Sequence, residues 1–185
     1  MKRLFLIAGL MAAFMLVIVA ASAAAANFAG TWVLDKAKSQ GLSQRMAGFD
    51  KVTWVITQDD KTIGIEQKTE GGQAPTGGGG GGAGGGGGAR PPAGPQTYNL
   101  DGKEVTGDQT MGPATAKVTT KATWAGDVLE LSRKTSFTGQ DGTERVNSST
   151  QKLSLSADGK VLTAAVHSEG GRGGPTDSTL VFNKQ

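Results

Sequence analysis

The chain has 185 residues, with 19 Lys and Arg against 16 Asp and Glu, one His and no Cys. Disulfides and a lipid-bearing cysteine are excluded, and a His-based metal site would lack a second His. The net charge of +3 loses two positives with Lys2 and Arg3, leaving +1, so the body of the chain lacks the clustered basic face that a nucleic-acid partner needs.

The N-terminus reads as an export signal. Lys2 and Arg3 form a positive start, residues 4–21 are apolar, and Ala20–Ala26 with Ser22 supplies the small residues of a cleavage site. Ala24-x-Ala26 is the preferred cut, after Ala26. The segment is also long enough to span a bilayer if uncleaved. A cleaved product would begin at Asn27 and run to 185 as one domain, periplasmic or secreted, with no stable membrane insertion.

After the signal, apolar and polar residues alternate with a period of two almost throughout, which is the pattern of half-buried strands. Strands are expected at 30–35, 51–58, 61–68, 96–101, 115–124, 128–138, 144–156, 160–168 and 178–183. Between them Asp59-Asp60, Asp101-Gly102, Gly126-Asp127, Asp141-Gly142 and Asp158-Gly159 offer the positive φ of tight hairpins. Residues 36–50 are the one helical candidate, and Gly41 and Gly48 favour a loop with a single helical turn. Short strands joined by tight turns give antiparallel, sequential pairing.

Residues 71–95 are rich in Gly and Pro, with Gly77–Gly82 and Gly84–Gly88 flanking Ala83. Gly loses the most backbone entropy on folding and has no side chain to bury, so this stretch is expected to be a disordered loop. Its accidental G-x-G-x-x-G is not a phosphate cradle, because Ala89-Arg90-Pro91-Pro92 follows where a helix start is required. Residues 168–176 form a shorter Gly-rich loop.

The alternation assigns faces. Val118, Thr120, Ala122 and Trp124 share one, as do Leu129, Leu131, Arg133, Thr135 and Phe137. Arg145, Asn147, Ser149 and Gln151 fall in phase with Leu153 and Leu155. The opposite faces are polar, against the apolar belt of a membrane barrel. Three readings stand for Arg133 and its polar companions: they line a wet cavity, a bulge turns them to solvent, or Arg133 stacks on Trp32. His167 lies on a polar face beside a Gly-rich loop and reads as solvated. No nucleophile–base pair, metal set or carboxylate pair emerges, so an enzyme is not expected, and neither is a cofactor or a bound metal.

Residues 28–35 (Phe-Ala-Gly-Thr-Trp-Val-Leu-Asp) with Lys38-Ser39, residues 100–104 (Leu-Asp-Gly-Lys-Glu), 122–127 (Ala-Thr-Trp-Ala-Gly-Asp) and 155–160 (Leu-Ser-Ala-Asp-Gly-Lys) resemble exported bacterial lipocalin-like, calycin-type proteins, most without assigned function. Gly30-x-Trp32 matches the Gly-x-Trp that opens the first strand in that superfamily, while its Thr-Asp-Tyr motif is missing. The resemblance implies an all-β, antiparallel up-and-down barrel of about 8–9 strands, closed at one end by Gly30 and Trp32. The expected function is binding or carriage of a small, fairly apolar molecule in the barrel mouth, with Trp54, Trp124, Arg133 and Phe137 as the candidate binding residues. The alternative is an envelope interaction or structural protein whose barrel is merely filled.

Overall fold

A computed structural model describes residues 26–72, 95–111, 114–139, 142–170 and 174–185. The expected signal, apart from Ala26, and nearly all of the expected Gly-rich loop, residues 73–94, lie outside the described residues.

Side-chain alternation commits each strand to one buried face, and every segment it picks out is a strand. In chain order these are β1 Gly30–Leu34, β2 Lys51–Gln58, β3 Thr62–Glu70, β4 Gln96–Asn99, β5 Val105–Met111, β6 Ala114–Ala125, β7 Val128–Thr138, β8 Glu144–Leu155, β9 Val161–Glu169 and β10 Thr176–Lys184. A single short helix, α1 Gln44–Gly48, follows β1, with Ser43 Oγ accepting from Met46 N at its start.

Ten strands replace the expected 8–9, and β5 is the addition. Its sequence Val-Thr-Gly-Asp-Gln-Thr-Met carries Gly107 and Asp108 and no apolar alternation. It is an edge strand, mostly exposed, and a strand with no buried face is under no pressure to alternate.

All neighbours pair antiparallel in the order β4-β3-β2-β1-β10-β9-β8-β7-β6-β5, a nearly closed barrel. The first and last strands meet, with Trp32 opposite Lys184 and Leu34 opposite Phe182. The seam therefore falls in mid-chain, where β4 lies against β6 without joining the hydrogen-bonded ladder.

One end is closed. Phe28, Trp32, Ile63, Leu129, Leu153, Leu162 and Phe182 are fully buried there, and the connections at that end are tight. The Trp32 indole Nε1 donates to Phe28 O at 2.8 Å. Gly30 has φ +142, and a Cβ on it would sit 3.0 Å from Lys184 Cε. The Gly-x-Trp start is thus a steric plug under Lys184, whose ammonium lies 5.2 Å from the Trp32 ring centre. Arg133 plays no part in that contact.

The Asp158-Gly159 turn has its expected positive φ, +66 at Gly159. Asp59-Asp60 works differently, because no residue other than Gly has positive φ among the described residues. Instead Asp59 Oδ1 accepts from Lys61 N at 2.8 Å and Thr62 N at 2.7 Å, an Asx turn in which the side chain replaces a backbone acceptor.

Candidate functional site

Toward the other end the inward positions change character. Register carries Leu129–Leu153 to Leu131–Gln151, Arg133–Ser149, Thr135–Asn147 and Phe137–Arg145 along β7 and β8. On β6, Thr120 stands opposite Arg133 and Ala122 opposite Leu131. This ladder is continuous, so no bulge turns Arg133 outward. It is half-buried on the inner face, and its Nη2 donates to Gln109 Oε1 on β5 at 2.7 Å.

A cavity of about 60 Å³ opens between Trp54, Ile65, Gln67, Gln96, Tyr98 and Gln151. Trp54 is 4% exposed, packs its ring 4.3 Å from that of Phe182, and donates Nε1–H to Gln67 Oε1 at 3.2 Å. The Tyr98 hydroxyl donates to Gln96 Oε1 at 3.2 Å. Burial pushes the Tyr98 phenol up to about 12, and the nearby positive charge of Arg133 opposes that rise. At neutral pH the phenol is therefore a neutral donor.

The four residues expected to bind do not converge. Trp54 lines the cavity, whereas Arg133 is not among its lining residues and bears on it only through its charge near Tyr98. Trp124 stacks on Phe28 with centroids 6.0 Å apart, at the closed end. It stands opposite Leu129, and Phe137 lies eight residues further along β7, about 26 Å away at ~3.3 Å per residue. Gln67, Gln96 and Gln109 were not singled out in the sequence. Gln67 alternates in phase with Ile63 and Ile65, a signal of the same kind as that of Gln151. Gln109 gave none, because its strand was not recognised.

A second hollow, about 400 Å³, lies on the outer wall beside Gln40, Lys152, His167, Asp177 and Thr179. His167 Nδ1 contacts Asp177 Oδ1 at 2.7 Å and Nε2 contacts Glu169 Oε1 at 3.2 Å. Those contacts, Asp177 foremost and Glu169 next, raise the His167 pKa. Both ring nitrogens are thus engaged by carboxylates, whose charge favours the protonated ring. It occupies the polar outer face, as the alternation indicated. No cluster of three metal-ligating side chains occurs among the described residues.

The geometry thus offers a small interior site lined by Trp54, Ile65, Tyr98 and three glutamines, and an outer hollow beside His167 and its carboxylate partner Asp177. No protein-family model matches the chain, and no curated protein does.

Proposed function

We propose that the chain is an exported lipocalin-like protein that binds a small molecule inside its barrel without transforming it. The observation that carries this reading is the interior cavity of about 60 Å³ at the point where the wall turns from packed apolar to polar. A barrel that only needed filling would extend its Leu and Phe layers, since polar groups kept inside cost about 1–3 kcal/mol each when unpartnered. Here Gln67, Gln96 and Gln151 are held around a Trp54 and Ile65 floor. The lipocalin-like assignment is supported by the up-and-down strand order and by Gly30-x-Trp32 at the closed end. Export is supported by the charged, apolar and small-residue runs at the N-terminus, and it predicts a mature chain starting at Asn27 by N-terminal sequencing.

The small volume favours one second reading. Sites for whole ligands run to about 300–1,000 Å³, so a filled barrel acting as an envelope interaction or structural protein is the competing function. Native mass spectrometry of protein purified from its own host separates the two. A co-purifying small molecule supports the binder. A clean protein mass, together with Trp fluorescence unquenched by a hydrophobic probe, supports the filled barrel.

A further inference from the structure

We infer that the outer wall of the barrel binds an acidic polysaccharide, with an uncharged sugar seated in the hollow beside His167 and a charged sugar held by Lys121 and Lys134. Only the outer wall takes part, so the site is independent of what the interior holds. The hollow provides one half. Its volume of about 400 Å³ falls in the ~300–1,000 Å³ range of sites for whole ligands. The Gln40 amide, the hydroxyls of Thr150, Ser178 and Thr179, and the Asp177 carboxylate line it. Hydroxyls and amides donate and accept, and a carboxylate accepts only. That mixture is complementary to a ligand made of many hydroxyls. Gln40 N donates to Thr179 O at 2.8 Å and Thr179 N to Gln40 O at 2.9 Å, which pins one wall of the hollow against β10.

Strand register provides the other half. One outward row crosses β6 to β10 as Lys121, Ser132, Thr150, His167 and Asp177. Three strand spacings of ~4.8 Å put the Lys121 backbone about 14 Å from that of His167, the reach of a short oligosaccharide. Lys134 is the diagonal neighbour of Lys121. Across the ladders Lys134 faces Thr119 and Ser148, and Lys121 faces Ser132, so hydroxyls flank both lysines. Glu130, the acid diagonal to Lys121, is held by Lys152 at 3.4 Å. Among the described residues neither Lys121 nor Lys134 forms an ion pair.

Charge orients the ligand along this row. Glu169 and Asp177 both lie against His167, so a negative group on the ligand is opposed at the hollow and favoured at the lysines. A chain that alternates charged and uncharged sugars satisfies both ends. The aromatic residues of β6, β7 and β10, Trp124, Phe137 and Phe182, fall in the inward phase. The face therefore lacks the stacking platform that single-stranded nucleic acid requires.

Calorimetric titration at low salt separates the contributions with a hyaluronate hexasaccharide, which alternates charged and uncharged sugars, chitohexaose, which is uncharged, and hexaglutamate, which has charge without sugar. Hyaluronate should bind at least tenfold more tightly than either of the others. Lys121→Gln combined with Lys134→Gln should leave it binding no more tightly than chitohexaose. Thr150→Val should weaken hyaluronate at least threefold without changing the salt dependence, because it removes a hydroxyl and no charge. Lys117→Gln, on β6 but outside the row and opposite Asp108, should change hyaluronate binding less than twofold. Melting temperatures check that each variant is folded. If the double variant does not fold, Lys121→Gln alone decides, with at least a threefold loss expected. No hyaluronate binding, an affinity that survives the lysine changes, or equal binding of hexaglutamate or a thymidine hexanucleotide overturns the inference.

Discussion

Lys184, the penultimate residue, holds its ammonium 5.2 Å from the centre of the Trp32 ring and stands opposite Trp32 in the β1–β10 ladder. This contact ties β1 to β10. An exposed cation–π pair contributes about 0.5–1 kcal/mol, so Lys184→Ala should lower the urea-denaturation free energy by roughly that amount. Gly30→Ala should cost more, about 1–3 kcal/mol, because it demands a positive φ from a residue with a Cβ and presses that Cβ onto the Lys184 stem. If Gly30→Ala were neutral by urea titration, the plug would not depend on that close approach.

The two halves of the inner wall should differ in energy. Leu131 and Leu153 are buried within the apolar end, and truncating either to Ala should cost about 2–5 kcal/mol. Ser149, opposite Arg133 in the polar half, should tolerate Ala within about 0.5 kcal/mol. Equal losses at both levels would mean that the polar half is packed as tightly as the apolar half.

Stability should fall away on both sides of a pH plateau. Asp59 is held below its usual 3.8 by the amides of Lys61 and Thr62, and Asp158 by the Ser156 hydroxyl and then the Lys160 amide. Their contribution is present above the unfolded value and lost as pH falls through the folded one. His167 is raised above 6.5 by Asp177 and Glu169. Its contribution is complete below 6.5 and lost as pH rises through its folded value. Urea midpoints measured from pH 3 to 9 should show both limbs. Asp59→Asn should flatten the acid limb and His167→Gln the alkaline one.

The seam should be visible in amide exchange. β4 and β5 each have one edge outside the ladder, and β5 exposes Val105 to 42%. Amides of β5 should exchange faster than those of β7 and β8, which are paired on both sides. Protection of β5 equal to that of β7 would mean that the seam closes in solution.

Period-two alternation carried most of the fold. The pattern Leu129–Leu131–Arg133–Thr135–Phe137 puts Arg133 in phase with buried leucines, but only the unbroken β7–β8 register removes the bulge that the sequence left open. It could not place Trp124 and Phe137 at opposite ends, since the pattern defines a face and not a neighbourhood. The partner on Trp32 was also out of reach. Lys184 and Arg133 both fall in the inward phase, and only strand register distinguishes which one reaches the indole. β5 left no trace because a strand exposed at an edge needs no buried side.

Pairing the first strand with the last makes barrel closure an event of the whole chain. During synthesis β1 and β2 emerge early, yet β1 cannot complete its second ladder until β10 follows some 150 residues later. The Gln185 amide, which donates to Thr31 O at 2.9 Å, extends that pairing. Such long sequence separations slow folding, and in the interval the outer edge of β1 is an open template for other strands. A chain truncated by even one strand at its C-terminus would keep that edge, which makes the C-terminal strand both a structural element and the guard against aggregation of everything made before it.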